Sequence, residues 1–156
     1  MRPAARPDIS CYDIFVSAVE TFSQTDFRLL ADFRFQIHRF LHFSQEQARS
    51  HGLEPRQHQL LLAVAGLPEG TRPVIGELAA RLFVRHHSAV ELVDRLCGRG
   101  LLRRTHGETD HREVLVSLTR AGETVLHRLS RAHREELDKL GPELAASLEA
   151  ILQSKL

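Results

Sequence analysis

The chain has 156 residues and 17.7 kDa, 42% of them apolar, 26% charged and 6% aromatic, and its 21 basic and 20 acidic residues leave a net charge of +1. That mixture excludes a disordered tail, and no apolar run approaches the roughly 18 residues of a membrane span. Two cysteines, Cys11 and Cys97, are too few for a disulfide framework or a four-thiolate zinc site, and the first residues lack a secretory-type apolar stretch, so the expectation is a water-soluble domain in a reducing cytoplasm.

Residues 1–25, with Pro3 and Pro7 near the start, read as an arm in which Ser10 and Asp13 suit the cap of a short helix to about Phe22. From Asp26, taken as an N-cap, to about Arg49 there is neither Gly nor Pro. Leu30, Phe33, Ile37 and Leu41 form one helical stripe there, and Leu29, Phe35, Phe40 and Phe43 widen it beyond a single packing face. A long helix with two faces to bury points to a partner subunit. Gly52 ends it, and Pro55 opens a second helix containing Leu60, Leu61 and Val64.

After Gly66, Pro68 and Gly70, a short helix carries Ile75, Leu78, Ala79 and Leu82. A brief turn at Phe83–Arg85 then leads into a helix to about Cys97 that buries Ala89, Leu92, Val93 and Leu96. Two short helices joined by a turn too tight for antiparallel packing make a helix-turn-helix, whose second helix is presented to a groove. Gly98 and Gly100 break that helix. Leu101–Thr105 then faces Glu113–Leu118, which alternates as a half-buried strand does, giving a hairpin or wing.

Thr119 caps the next helix, with its stripe at Val125, Leu126, Leu129, Leu137 and Leu140, and Gly141 and Pro142 are expected to separate it from a last helix holding Leu144, Leu148, Ile151 and Leu152. The fold class is therefore mainly α with a small β-wing. A winged helix-turn-helix at about 55–118 sits between helices at about 26–49 and 119–156, all within one domain from residue 26. Charge is concentrated in the same middle: residues 72–112 hold eight Arg against five acids and four of the ten His. Taken alone such an excess more often marks a solvated face than a polyanion site, and the helix-turn-helix gives it direction.

The segments Glu77-Leu-Ala-Ala-Arg-Leu82, Leu92-Val-Asp-Arg-Leu96, Arg99-Gly-Leu-Leu-Arg103, Asp110-His-Arg112 and Leu118-Thr-Arg-Ala-Gly-Glu123 resemble, in order and spacing, the MarR family of bacterial transcriptional regulators. No one segment is decisive; the five together carry the likeness, over roughly residues 26–156. The resemblance implies a homodimer joined through its terminal helices, each subunit setting a winged helix-turn-helix on a pseudo-palindromic double-stranded DNA operator. It also implies ligand-controlled repression more often than activation, and no cofactor or catalytic residue.

The residues themselves suggest how DNA would be read. With Ala89, Leu92, Val93 and Leu96 turned to the core, the opposite side of the second short helix offers His87, Glu91 and Asp94 or Arg95, and Arg85, His86, His87 and Ser88 crowd its start. Arg85 suits a bidentate contact to guanine, the two His can donate to a base or phosphate, and Ser88 reaches a phosphate beside the backbone amides. Glu91, where the family often has a base, either accepts from cytosine or clamps a neighbouring Arg; the clamp is favoured. Asp110 and Arg112 match the D-x-R pattern that the resemblance places at the wing tip, with the arginine in the minor groove. Arg103 and Arg104 on the first wing strand, and Arg95, are further candidates for the phosphate backbone.

Sensing residues are less marked. His38 and His42, at i and i+4, suit a small organic ligand, and a metal would need a third ligand that the spacing does not supply. A redox role would fall to Cys11, as in family members with an N-terminal sensing cysteine, or to Cys97, if Arg95 and Arg99 lower its pKa. Two other classes remain: a winged-helix protein-interaction module, disfavoured by the basic middle, and an enzyme, for which no nucleophile motif, phosphate loop or acid pair is present.

Overall fold

The computed structural model of the chain describes residues 22–106 and 113–154. Helix α1 (Gln24–Ser50) starts at Ser23, not at Asp26: the Ser23 hydroxyl accepts from the Asp26 backbone amide, and the Asp26 carboxylate accepts in return from the Ser23 amide at 2.8 Å. This reciprocal pair satisfies two amides that the first turn leaves without helical partners. The Asp26 carboxylate also accepts from the Ser23 hydroxyl at 2.7 Å, and that bond first, with the one from the Ser23 amide second, lowers the Asp26 pKa from its ordinary value.

Helix α2 (Pro55–Ala65) has proline in its first turn and buries Gln57, His58, Leu60 and Leu61. Helices α3 (Ile75–Arg81) and α4 (His86–Gly98) pack on one another and on α2 as the expected helix-turn-helix, with Leu78, Ala79, Ala89, Val93 and Leu96 inside. Strands β1 (Leu102–His106) and β2 (Val114–Leu118) form the wing, antiparallel, with Leu102 opposite Leu118 and Arg104 opposite Val116. A third short edge joins them: Val74 bridges Leu115, and the Val116 amide donates to the Pro73 carbonyl at 2.9 Å. The wing is thereby tied to the segment that enters the helix-turn-helix.

The C-terminal part differs from expectation. Gly141 and Pro142 do not divide it: a single helix, α5 (Arg120–Gln153), runs through both. An interior proline forfeits one helical hydrogen bond and crowds the preceding turn, at a cost of about 3 kcal/mol. The apolar period nevertheless carries across it, from buried Leu129 and Leu140 to Leu144, buried Ser147 and Ile151, as α5 lies along α1. Burial along that length outweighs the local penalty. Arg39 of α1 and Glu143, the residue after the proline, also form an ion pair.

At its other end α5 is fastened to the winged unit. The Thr119 hydroxyl accepts from the Gly122 amide at 3.1 Å, capping the helix, and donates to the Gly100 carbonyl at 2.6 Å; the Thr119 amide donates to Leu101 at 3.1 Å. This brings α5 so close to the end of α4 that a Cβ on Gly122 would lie 2.1 Å from the Leu101 carbonyl oxygen. Leu53, Leu60, Leu61, Leu78, Val93, Leu96, Val116 and Leu129 form the core where these elements meet. No described helix is long and apolar enough to cross a membrane.

Candidate nucleic-acid interface

Helix α4 turns its apolar stripe inward and leaves Arg85, His86, His87, Glu91, Asp94 and Arg95 exposed on the opposite side, with Ser88 half-buried at the edge. Arg85 is the N-cap, in extended conformation, and its side chain makes no capping hydrogen bond. The first amides of α4 are therefore not claimed by a side-chain cap, at the end of the helix where the peptide dipoles favour an anion.

Among the described residues, the remaining candidate arginines are held by neighbours. Arg104 forms an ion pair with Asp94 of α4, Arg95 lies 3.7 Å from Glu91 one turn back, and Arg103 donates to the Ser117 hydroxyl at 2.9 Å. The pairing of Arg104 with Val116 and of Arg103 with Ser117 puts the two arginines on opposite faces of the wing, so Arg104 leans towards α4 while Arg103 does not. Glu91 thus has the geometry of a charge clamp on Arg95. Such exposed pairs contribute little to stability, but they set where each guanidinium rests before a phosphate competes for it. Arg72 pairs with Glu113 at the wing base, and Arg99 donates to Gln57 at 3.0 Å beneath α4. Asp110 and Arg112 lie outside the described residues.

His38 and His42 are both exposed on α1, one turn apart. Among the described residues, no group of three or more His, Cys, Asp or Glu is placed to hold a metal. Cys11 lies outside the described residues. Cys97 does not meet the condition set for a redox role: burial raises its pKa above the ordinary thiol value, Arg104 opposes that rise and Asp94 adds to it. Its neighbouring cation is Arg104, already paired with Asp94, so the thiol is kept in its less reactive protonated form.

Sequence reasoning passed over a buried pair. His58 of α2 is only 4% exposed and stacks on His133 of α5, with ring centroids 4.8 Å apart. His133 Nδ1 lies 2.6 Å from the Leu129 carbonyl and Nε2 2.8 Å from the Ser44 hydroxyl of α1. A carbonyl only accepts, so in the neutral ring Nδ1 carries the hydrogen and Nε2 accepts from Ser44. Phe40 and Phe43 meet the same ring edge-on. Burial first, and the His133 charge second, lower the His58 pKa to about 4. The sequence signal was the place of His58 on the face of Leu61; its partner, 75 residues away, left none.

The model of the MarR family matches residues 51–113, from the end of α1 into the wing. No curated protein sequence matches the chain. Among solved structures, AbsC, a MarR family transcriptional regulator from Streptomyces coelicolor, is 18% identical, with a TM-score of 0.68 over 86% of this chain and 94% of that one. The transcriptional repressor CouR, solved on a 23-mer DNA duplex, is 27% identical with a TM-score of 0.60, over 76% of this chain and 84% of its own. A mutant of MarR from E. coli, solved in complex with operator DNA, is 22% identical with a TM-score of 0.59, over 77% and 87%. The mainly helical architecture with a two-stranded wing is the winged-helix fold of these MarR structures.

Proposed function

We propose that the chain is a DNA-binding transcriptional regulator of the MarR family, with its matched segment 51–113 as the reading unit, and that it works as a homodimeric repressor whose hold on a pseudo-palindromic operator is altered by a small organic ligand. Regulators of this class bind DNA rather than transform a substrate. The observation that carries the reading is the start of α4: among the described residues Arg85, His86 and His87 have no side-chain partner, beside amides that no side chain caps, while every other candidate cation in the described part of the unit is paired or bonded. Arg85 then reads a guanine edge, the two His contact base or phosphate, and Ser88 and the first amides of α4 take a phosphate. Arg95, Arg103 and Arg104 add backbone contacts by exchanging their present partners for phosphates. Asp110 and Arg112 of the wing tip, proposed on the sequence pattern, reach the flanking minor groove.

The dimer is supported by apolar surface that one chain leaves exposed: Phe27, Phe35 and Leu41 on α1, and Leu137, Leu148 and Leu152 on α5. Side chains of that size in water along two neighbouring helices call for a second copy. The repressor assignment follows CouR, and His38 and His42, as exposed polar groups on α1, are the proposed contacts of the ligand. The test is selection of a binding site from random duplex DNA, followed by titration of wild type, Arg85→Ala and Arg112→Ala on the recovered site. Each variant is expected to bind at least tenfold more weakly with its fold and dimer intact, and wild-type binding is expected to fall steeply with salt. Unchanged affinity in both variants rejects the assignment.

A further inference from the structure

Three helices of this chain stop in the same way. After α1, the Gly52 amide donates to the Arg49 carbonyl and the Leu53 amide to Ala48, both at 2.9 Å; after α4, Gly100 donates to Cys97 and Leu101 to Leu96, again at 2.9 Å. After α3, Phe83 donates to Ala80 at 3.1 Å and Val84 to Ala79 at 3.0 Å. Each is a paired closure that requires a left-handed residue just past the cap, a position that glycine fills without steric cost. Gly52 and Gly100 take it with φ of 71° and 68°, whereas the third position holds Phe83 with φ of 51°, the one positive-φ residue other than glycine among those described.

Among the described residues nothing offsets that choice. The side chain of Phe83 is 95% exposed, so a large apolar ring stands in water on a backbone that disfavours it. It stands beside the reading head, two residues before Arg85. A shallow groove rimmed by Leu62, Ala63, Leu82 and Phe83 shares Gln59 with a second groove that contains Leu92 and Arg95 of α4. The two grooves thus adjoin at Gln59, and the second reaches the flank of α4 that lies away from the wing, the wing being joined to α4 on the other flank by Arg104 and Asp94. An apolar ring there, two residues before Arg85 and one groove away from Arg95, matches the one apolar group that the major groove displays, the 5-methyl of thymine.

We infer that Phe83 is a specificity-determining DNA contact, packing against a thymine methyl next to the bases reached by Arg85. This rests on the DNA-reading assignment of α4 and extends it to a residue that the helix face itself does not include.

The experiment uses the selected duplex and versions in which deoxyuridine replaces each thymine in turn, removing one methyl group and nothing else. Wild type is expected to bind roughly fourfold more weakly when the contacted thymine of one half-site is replaced, the value of one buried methyl. Phe83→Gly is expected to melt at a higher temperature, to bind the all-thymine duplex more weakly than wild type does, and to lose the difference between thymine and uracil at that position. Stability and affinity then move in opposite directions, which a purely structural role would not produce. Affinity unchanged in Phe83→Gly, or reduced with the thymine-to-uracil difference intact, overturns the inference while leaving the reading by Arg85 standing. Conversion of the free dimer to monomer by the same substitution would give Phe83 to the partner subunit and also overturn it. Failure of wild type to select any duplex removes both readings together.

Discussion

His58 of α2 and His133 of α5 stack at 4.8 Å with 31° between their planes, at the place where the winged unit meets the long helices. His58 is only 4% exposed, and that burial first, with the His133 charge second, makes its ring resist a proton. Its pKa is about 4 in the folded chain against an ordinary 6.5. Above pH 7 the ring is neutral in both states and its titration does not affect stability. Between pH 6.5 and 4 the unfolded chain takes a proton that the folded chain refuses, so stability is lost as pH falls, by on the order of 3 kcal/mol across the window. Urea unfolding at pH 7.5 and 4.5 checks this: the wild-type midpoint should drop more than that of His58→Leu, and parallel drops would show that the ring is not the cause.

Asp94 restrains Arg104, and both side chains remain partly exposed. Asp94→Asn should release the guanidinium towards a phosphate and remove a negative charge from the reading face. Operator affinity is expected to rise several-fold, with the slope of log affinity against log salt steeper by about one. The double variant Asp94→Asn, Arg104→Ala should lose that gain; salt titrations of the three proteins on one duplex decide it.

Gly122 admits no side chain, because an added Cβ would meet the Leu101 carbonyl oxygen at 2.1 Å, and that oxygen belongs to backbone that cannot swing aside. Gly122→Ala should cost about 1–3 kcal/mol by forcing α5 away from the end of α4, despite the better helix propensity of alanine. Thermal melting reads the loss, and a variant as stable as wild type would mean that α5 shifts freely at this joint.

Phe35 is 59% exposed on α1, with the Arg39 guanidinium 5.9 Å from its ring centroid, and Phe27 is 56% exposed two turns earlier. Replacing both by Asp should leave helix content unchanged and convert the dimer to monomer in sedimentation at micromolar concentration. Operator affinity should fall with it, since one half-site contributes only part of the binding. A double variant that still sediments as a dimer would place the subunit contact elsewhere.

Elements whose logic is local were legible in the sequence. The α4 stripe, with Ala89, Val93 and Leu96 buried and Leu92 half-buried, the β2 strand around buried Val116 and the breaks at Gly52 and Gly100 all follow from period and backbone freedom, whereas the alternation expected along β2 is not seen, since its other residues are all half-buried. The start of α1 was misplaced by one turn because Ser23 and Asp26 are both good caps, and only the reciprocal hydrogen bonds identify Asp26 as the third residue in. The division at Gly141-Pro142 failed for the opposite reason: a strong local breaker is overruled by packing against a helix about 100 residues away. Of the site, the exposed face of α4 could be read from its period, whereas the hold of Asp94 on Arg104 and the rise in the Cys97 pKa depend on how wing and helix meet. Phe83 is legible as the start of a turn, but nothing in its neighbours' identities declares a left-handed backbone there or an exposed aromatic ring.

The proline that fails to break α5 has a mechanical consequence. A helix of 34 residues is about 50 Å long, and its first residue is bolted through Thr119 to the wing root and the end of α4. A tilt of about 5° about its far end swings that root through roughly 4 Å, more than the 3.4 Å rise of a base pair along one strand. Two hinged segments would dissipate such a tilt at the joint, whereas one unbroken lever arm delivers it whole to the reading head.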